Sequence, residues 1–240
     1  MARLTAATAG AAGAVLVLGI GLSGCGAVAA SGPVVERDVP VDDVRAVELA
    51  TSGDLTVRRG DTPSLTVRAA ESVQDRLVSR VRDGVLKLDS RSTFGFSNLG
   101  HVEYVLVVPE LDEVVVSGSG DVHAADVSGA NLRVSVDGSG DVEVTGVDAE
   151  QVRVSIGGSG DVELAGRADA ADLGIDGSGG IDADDLVVGA VRASIDGSGE
   201  IGVHARDTLD AEIGGSGTVS YTGDPRVTSD IGGSGSVERD

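Results

Sequence analysis

Asp121, Asp141 and Asp161 each follow a Gly-Ser-Gly tripeptide, at intervals of 20 residues. If the chain stacked them one above another, these carboxylates would offer a row of oxygen donors to a hard cation, and Ca2+ takes about six to eight such ligands. The row is short. The corresponding later positions are Gly180, Glu200, Thr218 and Ser236, and a second acid row, Asp137, Asp176 and Asp196, is interrupted by Gly157. The spacing also departs from the Ca2+-binding nonapeptide pattern, whose period is about nine residues. The sequence therefore reads as having no cofactor and no dedicated metal site. Asp121, Asp141 and Asp161 remain weak Ca2+ candidates, and the ordinary role of such corner acids is to satisfy turn amides.

The serines between the glycines invite a second chemistry. Ser119, Ser139, Ser159, Ser178, Ser198, Ser216 and Ser234 recur every 18 to 20 residues. A hydrolase nucleophile of the Gly-x-Ser-x-Gly kind needs a strand-to-helix turn with His and acid partners. Here seven serines are equivalent, each leads into a strand, and His101, His123 and His204 show no paired spacing. Phosphate cradling by the glycines would need a helix N-terminus, and none is expected. Sugar platforms usually rely on exposed aromatics, and only Phe94, Phe96, Tyr104 and Tyr221 exist. Tyr104 lies in a strand pattern and reads as core. Phe94 and Phe96, flanking Gly95 in the loop-like stretch 91–100, are the candidates for surface contact. No catalytic constellation emerges, and the chain reads as a non-enzyme.

A repeat must position these residues. Leu132, Val134, Val136, Val142 and Val144 occupy even positions; Arg133, Ser135, Asp137, Asp141 and Glu143 occupy odd ones. Alternation with period two assigns the first set to an interior and the second to water. Gly138 and Gly140 share the inward parity, at a corner with no room for a Cβ against the neighbouring rung. The corners are Gly118-Ser119-Gly120, Gly138-Ser139-Gly140, Gly158-Ser159-Gly160 and their later equivalents, with the serines forming an outward hydroxyl column. A period near 20 residues holds two or three short strands, one coil of a solenoid, whereas a propeller blade is about twice as long.

The expected fold is all-β, a right-handed parallel β-solenoid with coils of about 20 residues. Eight copies are expected, one of them degenerate: Val47–Val57 aligns without a gap on Val134–Val144. Stacked at about 4.8 Å they would form a rod of roughly 35–40 Å. Residues 34–110 are strand-like but less regular; the regular repeats occupy 111–240. Val73–Arg82 fits either a short helix, on which Val73, Leu77, Val78 and Val81 share a face, or a strand. Glu238, Arg239 and Asp240 read as charges that guard the last edge.

Composition narrows the partners. With 39 acidic and 18 basic side chains the formal charge is −21, which repels nucleic acid and anionic headgroups. Aromatics make up 2% and Trp is absent, so the core must be built from β-branched and small side chains. Near the start, an apolar stretch over 11–22 is too short to span a bilayer comfortably and has the length of a signal-peptide core. The residues Leu22-Ser23-Gly24-Cys25 that follow resemble the lipobox of bacterial lipoproteins. That resemblance implies a signal peptide over 1–24, a lipid on Cys25, a tether over 25–33 and an extracytoplasmic domain over 34–240, anchored to the bacterial cell membrane without crossing it. Cys25 is the single cysteine, so no intramolecular disulfide can form.

Val114-Val-Val-Ser-Gly-Ser-Gly-Asp-Val122, preceded by Val107-Val-Pro109-Glu-Leu-Asp112 and followed by the tandem Gly-Ser-Gly copies, resembles the putative auto-transporter adhesin head GIN domain. The resemblance covers most of 34–240. It implies a β-helix-like fold and an envelope setting, and it brings no catalytic residues. The expected function is a non-catalytic, adhesion- or interaction-type envelope module with a protein or glycan partner of unknown identity. The alternative is a glycan-binding or glycan-processing protein that uses an acidic face of the solenoid.

Overall fold

A computed structural model describes residues 32–91 and 99–240 of the chain. The expected signal peptide, Cys25, most of the expected tether, and Phe94 and Phe96 lie outside the described residues. Alternating β-branched and polar residues give strands along most of the rest. In chain order these are β1 (Val34–Val39), β2 (Ala46–Leu49), β3 (Asp54–Arg59) and β4 (Ser64–Ala70), then a single helical turn α1 (Glu71–Gln74). There follow β5 (Leu77–Arg82), β6 (Val85–Ser90), β7 (Glu103–Val108), β8 (Glu113–Val116), β9 (Val122–Ala125) and β10 (Ser128–Val136). The long strands β11 (Val142–Ile156), β12 (Val162–Ile175), β13 (Gly180–Ile195) and β14 (Glu200–Ile213) precede β15 (Thr218–Gly223), β16 (Arg226–Ile231) and β17 (Ser236–Arg239).

The long strands stack in parallel as a β-solenoid. Each coil has two walls joined by a Gly-Ser-Gly corner. Wall A leads into the corner and contains β8, then residues 131–136, 151–156, 170–175, 190–195 and 208–213, then β16. Wall B leaves the corner and contains β9, then the first residues of β11 to β14, then β15 and β17. The way back from wall B to wall A is a bend inside one continuous strand, marked by register shifts such as that between Val144 and Val147. Gly146 takes φ 66° at that bend, a left-handed conformation that favours glycine. Seven Gly-Ser-Gly corners enclose about six turns, and the degenerate copy stacks beneath them as an eighth corner. A corner opens a coil but does not complete one.

The degenerate copy is a true rung, but chain order is not stack order. Val47 pairs with Val114 and Leu55 with Val122, so β2 and β3 lie directly against the first regular coil. On their other side lie β6 and β7, which come later in the chain. Beyond them the pairing turns antiparallel: β4 joins β7, β1 joins β4, and β5 joins β6. The segment 73–82 takes the strand alternative over Leu77–Arg82 (β5); only Val73 and Gln74 belong to the single helical turn α1, so the four apolar residues do not share a helix face. α1 plugs this end of the core with buried Val73 and Gln74, and Gln74 Nε2 donates to the carbonyls of Val35 (2.9 Å) and Val67 (3.3 Å).

The core is a set of apolar columns. One runs from Leu88 through Leu49, Val116, Val136, Ile156, Ile175 and Ile195 to Ile213, every member buried. The next position in register, Ile231, is 42% exposed, with no further rung over it among the described residues. In the final coil two inward positions become polar: Ser229 sits against Ala211, and Arg239 against Tyr221. Arg239 is therefore not an outward guard of the edge as expected. Its Nη2 turns back to the Gly223 carbonyl at 2.6 Å and to Asp224 at 3.5 Å, capping the last bend.

Candidate functional site

The stacked corners obey one rule. The serine N–H donates to the carbonyl of the first glycine one rung below: Ser139 to Gly118, Ser159 to Gly138 and Ser178 to Gly158, each at 3.1 Å. The contact fixes the residue type. A Cβ on Gly138 would strike the Gly118 carbonyl oxygen, one on Gly158 that of Gly138, and one on Gly140 or Gly160 the oxygen of Gly120 or Gly140. Gly118 and Gly120 meet Thr51 and Gly53 of the degenerate corner in the same way. Ser119, Ser139 and Ser159 point outward and are exposed. They stack through their amides; the Ser155–Ser135 hydroxyl bond of 3.2 Å lies on the face of wall A, away from the corner.

Next to the corner runs a carboxylate ladder. Asp121 Oδ1 accepts the N–H of Asp141 (2.9 Å), Asp141 Oδ1 that of Asp161 (2.8 Å), and Asp161 Oδ1 that of Gly180 (2.7 Å). Asp54 begins it by accepting from Asp121 at 3.4 Å. The sequence held that signal, since Asp54 aligns with Asp141 in the degenerate copy. Farther along, where the aspartates give way to Glu200 and Thr218, backbone takes over: Thr218 and Ser236 donate to the carbonyls of Gly199 and Gly217 (3.2 Å each). The aspartates thus satisfy amides of the next rung rather than of their own turn, and one oxygen of each is committed to the fold.

The outward columns of the two walls differ in charge. On wall A, one register column reads Glu113, Arg133, Arg153, Asp172, Arg192, Asp210, with ion pairs Glu113–Arg133 (3.7 Å), Arg153–Asp172 (3.6 Å) and Arg192–Asp210 (3.7 Å). On wall B the column reads His123, Glu143, Glu163, Asp182 beside the Asp121–Asp141–Asp161 ladder. His123 Nδ1 lies 2.9 Å from Glu143 Oε2. Residues 111–240 hold 26 of the 39 acids and only 7 basic side chains, and wall B carries much of the imbalance. An open groove of about 600 Å3 follows these acids. At its far end burial, and then the neighbouring acids Asp182, Asp240 and Asp185, raise the Asp184 pKa, with His204 acting in the opposite sense. Sequence reasoning missed the paired column of wall A, whose trace was the return of Arg133 and Arg153 at the repeat interval.

Tyr104 is core, as expected, at 1% exposure. Its hydroxyl and that of Thr51 are both buried, and neither makes a hydrogen bond among the described residues. Burial pushes the Tyr104 phenol up to about 12, and the nearby Thr51 hydroxyl lowers it only in part.

The sequence pattern of a family described as "Putative auto-transporter adhesin, head GIN domain" matches residues 43–225. Among solved structures, a putative adhesin from Bacteroides fragilis NCTC 9343 is 26% identical, with a TM-score of 0.85 over 89% of this chain and 100% of that one. A putative lipid binding protein from Parabacteroides distasonis ATCC 8503 is 27% identical, with a TM-score of 0.74 over 89% and 99% of the two chains. A putative adhesin from Parabacteroides merdae ATCC 43184, at 24% identity and a TM-score of 0.66 over 89% and 98%, shares the fold. No curated protein matches the chain in sequence.

Proposed function

The chain belongs to the putative auto-transporter adhesin, head GIN domain family, and from that premise we propose that it is a non-catalytic, adhesion-type module of the bacterial cell envelope, anchored by a lipid on Cys25. One observation carries the non-catalytic part. The polar side chains of both walls stand in parallel columns, one rung apart, and do not converge on a point; the corner aspartates already spend an oxygen each on the next rung's amide. A reaction needs groups gathered within about 3 Å of a common atom. A ladder instead offers a long, repetitive surface, which suits contact.

The two walls divide the labour. One outward column of wall A is compensated by its own ion pairs, while wall B presents mainly acids and would favour a basic or cation-bridged partner. The lipid-binding designation of the Parabacteroides distasonis neighbour supports a membrane setting. In this chain the coil interior is packed with Val, Leu and Ile, so the lipid contact we assign is the acyl group on Cys25. Envelope fractionation of the full-length chain tests the anchor. Wild type should sediment with membranes and Cys25→Ser should be released; a soluble wild type would overturn it. A glycan array read for both binding and turnover tests the alternative, since product release would overturn the non-catalytic reading.

A further inference from the structure

The two ends of the rod are finished differently. At the end nearest β1, the antiparallel strands and α1 close the core. At the other end Val227 and Val237 are only partly buried, Ile231 is 42% exposed, and among the described residues β16 pairs only with β14 and β17 only with β15. Exposed edges are normally protected by lysine, proline or a bulge within the strand. β17 carries Glu238 and is followed by Asp240. β16, Arg226-Val-Thr-Ser-Asp-Ile231, has no lysine, proline or bulge; its only charges are the outward Arg226 and Asp230, and it pairs with β14 over six residues without a register shift, so its outer edge is flat.

That edge is complementary to itself. Laid antiparallel on a second β16 about Ser229, Val227 falls opposite Ile231 of the partner subunit on the inward face, twice by symmetry, and closes the open core. Ser229 sits on the two-fold axis, and Thr228 meets the partner subunit's Asp230. On the outward face Arg226 lies diagonal to the partner subunit's Asp230, within reach of a long side chain. Neither Arg226 nor Asp230 has an ion-pair partner among the described residues. Four residues apart on one strand, at roughly 13 Å, they cannot satisfy each other within the chain.

We propose that β16 docks a second copy of this chain, edge to edge and antiparallel about Ser229, joining two rods tip to tip through wall A. The contact is isologous and closes on itself as a dimer. One strand pair buries less than the ~1,200 Å2 of a stable complex, and the acids of 111–240 oppose approach, so the dimer is weak and exchanges quickly. The proposal does not depend on acylation of Cys25.

Sedimentation velocity of the full-length chain in mild detergent should show a concentration-dependent dimer. Arg226→Asp and Asp230→Arg should each weaken it roughly tenfold, because each replaces two attractive contacts with two repulsive ones. The double variant, or a mixture of the two single variants, should recover association to within about threefold of wild type. In a Cys25→Ser background, Ser229→Cys should form a disulfide-linked dimer under mild oxidation, and Ser155→Cys, on wall A in mid-rod, should not. Unchanged melting curves establish that the variants are folded. A strictly monomeric wild type, charge swaps without effect, or equal cross-linking at both cysteine positions would overturn the proposal.

Discussion

The Asp141 carboxylate accepts the amide N–H of Asp161 at 2.8 Å, across the step from one rung to the next. The bond fills a gap that the β-ladder leaves beside the corner, and the same bond recurs one rung below and one rung above. It explains how three like charges tolerate stacking: each repels its neighbours but satisfies an amide that has no other acceptor.

Asp141→Ala should therefore lower stability by about 1–2 kcal/mol, the cost of leaving an amide unsatisfied. Asp141→Asn keeps the acceptor and removes a like charge, so it should match or exceed wild type in urea denaturation. Chelator should leave both curves unmoved. A chelator-dependent midpoint in the wild type alone would instead assign these acids to Ca2+.

Two glycines of the repeat should respond oppositely to alanine. At Gly158 a Cβ would collide with the Gly138 carbonyl, which already accepts the Ser159 N–H, whereas at Gly232 nothing lies within 4 Å. Gly158→Ala should cost about 3 kcal/mol or more by overpacking against backbone that cannot yield. Gly232→Ala should stay within about 0.5 kcal/mol of wild type. Thermal melts of the two variants are the check.

Tyr104→Phe should be neutral or stabilising by about 1 kcal/mol at pH 7, since it removes a buried hydroxyl that lacks a good partner. The variant should also change the alkaline limb. A phenol held up to about 12 in the folded chain, against about 10 when unfolded, contributes stability that is intact below pH 10 and lost as pH rises toward 12. Denaturant midpoints measured between pH 9 and 12 should fall in the wild type and fall less in Tyr104→Phe.

Asp184 has its folded pKa raised, by burial first and acidic neighbours second. The folded chain then holds this proton more tightly than the unfolded chain, so the contribution to stability is full below the normal carboxylate range and is lost as pH rises through the folded value. Asp184→Asn should accordingly melt higher than wild type at pH 7, by roughly 1–3 °C, and the difference should vanish as pH approaches the carboxylate range. A constant difference at every pH would assign the effect to packing.

Much of the coil could be read from residues alone because a β-strand has period two. Val134 and Val136 inside, Arg133 and Ser135 outside, and Gly138 at the turn follow from parity without any contact information. The degenerate copy at Val47–Val57 was readable for the same reason, and its alignment also placed Asp54 at the foot of the carboxylate ladder. Parity could not reveal which rung lies on which. The pairing of Val47 with both Leu86 and Val114 depends on a crossover that carries the chain past a rung already laid down. Nothing periodic in the residues between them encodes that step.

The sequence by itself determined the coil: its period, its inward and outward sides, its glycine corners and its surplus of acid. These properties are local, set by side-chain alternation and by the absence of a Cβ where two backbones touch. The tertiary structure alone decided what depends on neighbours many residues away. It inserted the upstream rung between later ones, gave each corner aspartate the next rung's amide, compensated one column of wall A while leaving wall B acidic, and closed one end with antiparallel strands while leaving β16 and β17 singly paired among the described residues. Every one of these is a relation between stacked rungs, and stacking register is settled only when the whole set of columns packs at once.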